Sequence, residues 1–299
     1  MVQFETIGVV GCGLMGHGIA QVAAAQAGKQ VIVVEADRAA LDRGIERIAQ
    51  SLAKLAQKAV EKKQMDEAAA RAFVEAARAR ITPTGSTAEL ARCDLVIEAI
   101  VEDLDAKCAL WRSLAGVCPP HTVFASNTSS FPIAAMAEAS GRRDRMLGLH
   151  FFNPVQLMQL VEVVRLPETA PDVLDAALAF ARACGKEPVV CKDTPGFIVN
   201  RLLVPFLVQA LLMAERGDAS KEDIDTAMRL GCGHPMGPIT LADYVGLDTT
   251  LAILEGWHRR HPEEPAFVIP QSLRDKVAAG KLGRKTGEGF YRWEGDKRV

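Results

Sequence analysis

The chain has almost no charge imbalance. Its 35 basic residues stand against 37 acidic ones, a formal net charge of −2. A protein that holds DNA or RNA through phosphates needs a basic field, so nucleic acid is not an expected partner. Basic residues are scattered, and the short run Lys62-Lys63 follows Glu61 on a predicted helix and reads as a solvated face. Paired cysteines are missing too. The seven cysteines are Cys12, Cys93, Cys108, Cys118, Cys184, Cys191 and Cys232, and no two form a C-x-x-C. The count is odd and the spacings suit neither a metal site nor a disulfide framework, so reduced thiols in a cytoplasmic protein, with no metal, are expected. The opening residues, MVQFETIGVVGCG, lack the basic start of a secretory signal. The most apolar helix-length run, FIVNRLLVPFLVQALLMA (197–214), contains Asn200, Arg201, Pro205 and Gln209. It reads as a buried helix, and no membrane span is expected. Internal repeats and low-complexity tails are also absent.

What is present is apolar and regularly patterned. A length of 299 residues with 49% hydrophobic content supports one large domain or two moderate ones. Five β-branched runs, TIGVV (6–10), VIVVE (31–35), LVIEAI (95–100), TVFAS (122–126) and MLGLHFF (146–152), alternate with Ala-rich helical stretches. That alternation predicts a parallel sheet with helices on both faces. Residues 38–80 are too long for one crossover helix and predict a helical hairpin broken near Gln64–Asp66. Beyond CKDTPGF (191–197) the pattern is helical to about residue 280, with Thr194 expected to cap a helix that begins at Pro195. Gly217 should end that helix, and SKED from Ser220 resembles a capping box for the next. The expected division is residues 1–192, an α/β domain, and 193–299, an all-helical domain.

The stretch GVVGCGLMGHGIAQVAAAQAG (8–28) places Gly11, Gly13 and Gly16 between a strand and a helix. Such a loop turns tightly at the first glycine, exposes backbone to a pyrophosphate at the second, and packs helix on strand at the third. The phosphate would rest on free N–H groups at the helix start, with Leu14 and Met15 completing the loop. Glu35, nineteen residues beyond Gly16, can accept from a ribose 2′-hydroxyl and would repel a 2′-phosphate. These features predict a Rossmann-type, mainly parallel sheet that binds NAD rather than NADP. A purely structural glycine turn with a chance acid is the competing reading.

A second constellation lies in LGLHFFNPVQLMQLVEVV (147–164). Asn153-Pro154 signals a turn, and a hairpin centred near Gln156 makes His150 and Glu162 direct cross-strand neighbours. A carboxylate there fixes the imidazole tautomer and stabilises its protonated form, leaving the second nitrogen to take a proton. A satisfied, partly buried histidine is the bland alternative. SNTSS (126–130) follows a predicted strand, at the carboxyl edge where α/β sheets bind ligands; capping the next helix is its other use. Asn200 sits among Ile198, Val199, Leu202 and Leu203, where an amide needs a partner of either kind.

With GCGLMGHGIA, VIEAIVED, SNTSS, GLHFFNP, DTPGFIVNR, PMGP and KTGEGFY, motifs span residues 8–291, and the chain resembles the L-3-hydroxyacyl-CoA dehydrogenase family, most of all its single-function bacterial 3-hydroxybutyryl-CoA dehydrogenases. The resemblance implies a Rossmann-type domain followed by a helical domain that forms a homodimer. It implies that His150 is the catalytic base, Glu162 its carboxylate partner, and that Ser129 and Asn200 position the substrate oxygens. It implies cofactor contacts by Glu102, Lys107, Ser129, Asn153 and Lys285, and contacts to the CoA moiety by Ser51 and Lys58. Those two are seven residues apart on one helix face, which without the resemblance is ordinary solvated surface. The implied reaction interconverts (S)-3-hydroxyacyl-CoA with NAD and 3-oxoacyl-CoA with NADH, under domain closure. Two positions depart from the family pattern. Cys12 often stands as Ala and is expected to be oxidation-sensitive, and His234 replaces a common aromatic. A dehydrogenase of a free hydroxy acid or sugar acid, and a non-enzymatic NAD-binding protein, are the alternatives. Butyryl, longer acyl and dicarboxylic substrates differ by a few pocket contacts, so the pattern is compatible with fatty-acid degradation, butyrate or polyester-precursor metabolism, or aromatic-acid breakdown.

Overall fold

The β-branched runs assemble into one eight-stranded sheet in the computed structural model, which describes residues 2–299. Its strands are β1 (Thr6–Val10), β2 (Gln30–Val34), β3 (Ile81–Thr84), β4 (Leu95–Glu98), β5 (Val123–Ser126), β6 (Met146–Phe151), β7 (Leu160–Arg165) and β8 (Glu187–Lys192). They lie in the order β3-β2-β1-β4-β5-β6-β7-β8, all neighbours parallel except β6 and β7. The order reverses between β1 and β4, so a crevice opens beyond their carboxyl ends, where ligands bind in doubly wound sheets. The edge strands β3 and β8 escape prediction from pattern. ITPT exposes its two middle residues and EPVVCK exposes Glu187, Val190 and Lys192, so neither presents a continuous buried apolar run.

Period-2 alternation builds two cores. Ile7, Val9, Val31 and Val33 face α1 (Gly16–Ala25), α2 (Arg38–Glu61) and α6 (Pro171–Ala183). Val10, Ile32, Val34 and Val96 face α4 (Leu104–Val117) and α5 (Ile133–Ser140). The expected helical hairpin is α2 followed by α3 (Glu67–Ala79), with Asp37 and Asp66 accepting the Ala40 and Ala69 amides as N-caps.

The chain divides into compact units Met1–Phe197 and Ile198–Val299, five residues later than the expected boundary. Residues 193–197 belong to the sheet's side of that division. Asp193 accepts the Ile133 and Ala134 amides at the start of α5 (3.1 and 2.8 Å), and Phe197 is buried in the α4–α5 core. Thr194 caps no helix. Gly196 and Phe197 both take positive φ (77° and 53°), which stops helical propagation, and α7 begins only at Val199.

The second unit holds α7 (Val199–Glu215), α8 (Lys221–Cys232), α9 (Pro238–Val245), α10 (Leu247–Arg260), α11 (Gln271–Ala278) and a short ribbon, β9 (Trp293–Glu294) with β10 (Lys297–Arg298). Leu207, Leu211, Leu254, Trp257 and Leu273 form its core. Gly217, at φ 73°, follows α7, and the Ser220 hydroxyl accepts the Asp223 amide to cap α8. No helix among the described residues is long and apolar enough to cross a membrane.

Candidate active site

The glycine loop leaves β1 and enters α1. A Cβ at Gly11 would lie 2.5 Å from the Ala99 carbonyl oxygen, and one at Gly16 1.8 Å from that of Gly11. At Gly13 a Cβ would meet nothing within 4 Å. Two glycines are thus required by close packing, and the one between them leaves open backbone for a ligand. Leu14 is exposed and Met15 half-buried beside it. The helices α2, α3 and α4 each carry an Asp at the N-cap, whereas no side chain caps α1 and its first turn holds no acid. Its free N–H groups suit a phosphate. Glu35 closes the loop: its Oε2 accepts the Cys12 amide at 3.1 Å and its Oε1 the Asp37 amide at 3.2 Å. This set fits a dinucleotide with free ribose hydroxyls. Cys12 itself is buried, with its thiol pushed up to about 11 by desolvation and the Glu35 charge, so the expected oxidation sensitivity does not hold. Its sulfur faces α2, where a Cβ on Gly44 would come within 2.2 Å of it.

His150 is the penultimate residue of the fully buried β6, and Glu162 faces it across the antiparallel pair with β7. Nδ1 lies 2.7 Å from Glu162 Oε2, with His150 6% exposed and Glu162 fully buried. A buried carboxylate accepts, so Nδ1 carries the proton and Nε2 the lone pair. Phe152 and Phe197 flank the imidazole, with ring centroids at 4.5 and 5.7 Å. Phe197 belongs to this wall unannounced by any sequence signal beyond the neighbouring Gly196. The loop between the strands is fixed: Lys186 Nζ donates to the Val155 and Met158 carbonyls (2.5 and 2.9 Å), and Gln156 donates to Gln21 of α1 (3.1 Å).

Ser129 sits after β5 in a web of hydrogen bonds. The Thr128 hydroxyl and the Ser129 amide donate to Glu102 Oε1 (2.5 and 3.2 Å). Lys107 Nζ reaches Glu102 Oε2 at 3.1 Å and Glu98 Oε1 at 2.6 Å. Glu98 also accepts the Ile100 amide and the Ser126 hydroxyl. Asn127 joins this web to the histidine, because its Oδ1 accepts the Phe151 amide at 2.9 Å. Sequence reasoning missed Glu98 and Asn127. The available signal for Glu98 was a carboxylate closing an apolar strand with a lysine nine residues on.

The remaining candidates are spread more widely. Asn153 is exposed in the loop after β6; on α2, Ser51 is half-buried and Lys58 exposed. In the second unit Asn200 is half-buried in the first turn of α7, and Lys285 pairs with Asp248 at 2.6 Å. The KTGEGFY segment is anchored there by buried Asp243, which accepts the Phe290 and Tyr291 amides and the Trp293 indole N–H.

A switch-point crevice, an uncapped α1 behind a glycine loop, and a buried His–Glu pair near the same sheet edge define an NAD-dependent oxidoreductase with a Rossmann-type domain. Comparison with known proteins narrows the class. The sequence profile of the 3-hydroxyacyl-CoA dehydrogenase NAD binding domain matches residues 6–194, and that of the same family's C-terminal domain matches residues 196–293. The chain belongs to the 3-hydroxyacyl-CoA dehydrogenase family. It is 51% identical over 294 residues to the mitochondrial hydroxyacyl-coenzyme A dehydrogenase of Rattus norvegicus, covering 98% of this chain and 92% of that protein. A probable 3-hydroxybutyryl-CoA dehydrogenase of Deinococcus radiodurans is 46% identical, covering 96% of this chain and 99% of its own. The crystal structure of (S)-3-hydroxybutyryl-CoA dehydrogenase from Ralstonia eutropha superposes with a TM-score of 0.90 at 40% identity, covering 98% of this chain and 100% of that one.

Proposed function

We propose that the chain oxidises a short (S)-3-hydroxyacyl-CoA, probed as the 3-hydroxybutyryl thioester, to the 3-oxoacyl-CoA, reversibly, in fatty-acid metabolism. The observation that carries this reading is the buried His150–Glu162 pair at 2.7 Å in a chain of this family. Nε2 of His150 takes the proton of the 3-hydroxyl, and Glu162 stabilises the imidazolium that forms. The Gly11–Gly16 loop and Glu35 would hold NAD, which when bound would supply the hydride acceptor for C3 of the substrate. Phe152 and Phe197 keep water from the imidazole. Ser129 orients the reacting oxygen, and to Asn200 falls a contact with the second substrate oxygen.

Cofactor contacts are assigned to the Gly11–Gly16 loop, Glu35, Glu102, Lys107, Ser129, Asn153 and Lys285, and CoA contacts to Ser51 and Lys58. The sheet-bearing unit is the proposed nucleotide domain and the helical unit the proposed substrate and homodimer domain. Exposed Leu202 and Leu230 of the helical unit support the latter role. Seven unpaired cysteines support a reducing, cytoplasmic setting. The test is His150→Gln. Turnover of acetoacetyl-CoA with NADH should fall by about 10²–10⁴-fold, while NADH titration gives an unchanged affinity. Persistent turnover removes His150 from the role of base.

A further inference from the structure

Glu98 and Lys107 are 0% and 1% exposed, an ion pair sealed beneath the carboxyl edge of the sheet. Stability alone does not explain such a pair, because desolvation offsets most of its attraction and well-packed apolar residues often do as well. Its geometry is informative instead. Glu98 Oε1 accepts Lys107 Nζ (2.6 Å) and the Ile100 amide (2.8 Å), and Oε2 accepts the Ser126 hydroxyl (2.6 Å). Its backbone carbonyl accepts the Asn127 amide at 2.9 Å. One residue thus fixes the loop after β4, the end of β5 and the cation on α4.

The other side of that cation holds Glu102. With Lys107 at Oε2 and both Thr128 and Ser129 donating to Oε1, Glu102 is held from two directions. Thr128 Oγ1 accepts the Ser130 and Phe131 amides in turn, so residues 128–131 hang from Glu102. Two carboxylates and one ammonium leave a formal charge of −1 at this edge, with the ammonium buried and Glu102 the member that solvent reaches.

We infer that Glu98 is a positioning residue. It touches neither substrate nor cofactor but fixes Lys107, through which Glu102 and the Ser129 turn are set for cofactor and reacting oxygen. The inference rests on the assignment of Ser129 and Glu102 above, so wild-type turnover of acetoacetyl-CoA is measured first. Its absence overturns that assignment, not the relay.

The test is a double-mutant cycle of Glu98→Gln and Glu102→Gln, read as NADH affinity by fluorescence titration and as separate kcat and KM values. Each single variant should weaken NADH by at least about threefold, and the double variant should bind no worse than Glu102→Gln alone, since non-additivity marks residues acting through one path. In Glu98→Gln, kcat should fall about tenfold or more, as expected of a misplaced reacting group, with KM for acetoacetyl-CoA within about threefold. Losses that multiply in the double variant overturn the relay, as does a wild-type NADH affinity or an unchanged kcat in Glu98→Gln. If Glu98→Gln does not fold, Glu98→Asp, which keeps the charge but is one methylene too short to hold Lys107, Ile100 and Ser126 together, replaces it in the cycle with the same criteria.

Discussion

Gly18 tests whether the loop joining His150 to Glu162 is a rigid spacer. It lies in the first turn of α1 with the loop resting on it: a Cβ at 18 would stand 2.8 Å from Val155 Cβ, 3.1 Å from its Cγ2 and 3.3 Å from Gln156 Nε2. Carbon atoms settle at about 3.5–4.0 Å, so Gly18→Ala must push Val155 back by roughly 1 Å. The loop has no free direction in which to go. Lys186, itself buried, holds the Val155 and Met158 carbonyls from the far side, and Gln156 is tied to Gln21. Two energies compete. Replacing glycine in a helix gains about 0.5–1 kcal/mol, and overfilling a packed contact costs about 1–3 kcal/mol. The net destabilisation should be about 0–2.5 kcal/mol, read by urea unfolding.

Activity should suffer more. Val155 is five residues from His150 along the chain, and a displacement of about 1 Å in reacting geometry lowers rates by as much as about 100-fold. Gly18→Ala should therefore lower kcat for acetoacetyl-CoA reduction, followed by NADH absorbance, by about tenfold or more. Gly116→Ala is the control: it lies in α4, where an added Cβ meets nothing within 4 Å, and should raise stability by about 0.5–1 kcal/mol with kcat unchanged. A Gly18→Ala enzyme with wild-type kcat refutes the reasoning, because the loop would then yield without moving the pair.

Arg142 ends α4 by donating to the carbonyls of Ala115, Cys118, Pro119 and Thr122 while stacking on Phe124 at 4.6 Å. Arg142→Met should cost about 2–4 kcal/mol in urea unfolding, and Arg142→Lys should recover little, because one ammonium cannot reproduce the planar fork; full recovery by Lys contradicts that account. Asp193→Ala, which strips the cap from α5, should cost about 1–2 kcal/mol by the same assay, and an unchanged midpoint rejects the capping role. Burial pushes the thiols of Cys12 and Cys118 up to about 11 and those of Cys93, Cys184 and Cys191 up to about 12, whereas Cys232 is exposed. A disulfide reagent at mildly alkaline pH should label one thiol per native chain quickly and all seven after denaturation; fast labelling of several native thiols contradicts this.

How much of this was legible in the sequence follows from the kind of signal each feature leaves. The His150–Glu162 pairing was legible because strand register about a turn is arithmetic, and the buried faces on both sides forbid a slip. The α2–α3 hairpin was legible from length, since residues 38–80 are too many for one crossover helix. β3 and β8 were not, because half-exposed edge strands carry no continuous apolar run. The Thr194-Pro195 pair imitated a helix start, since a positive φ at a bulky residue such as Phe197 has no sequence signature. Glu98 was illegible for another reason. Within LVIEAI (95–100) it reads as a polar interruption of an apolar run, and its burial depends on Lys107 coming from a separate helix.

That dependence explains why the carboxylates of this site are so placed. Strands buried on both faces place most of their polar side chains at the end: Glu98 and Ser126 are the last residues of β4 and β5, and Glu35 immediately follows β2, whereas Glu162 lies inside β7 and is buried against His150. Each acid meets donors that are already fixed: backbone N–H groups for Glu35, a helix-borne ammonium for Glu98, an imidazole for Glu162. A carboxylate so held does not reorganise when charge develops nearby, which is the condition for electrostatic stabilisation to lower a barrier. Glu102 differs in position, not in kind. It lies beyond the strand, and so requires the lysine beneath it to achieve the same rigidity.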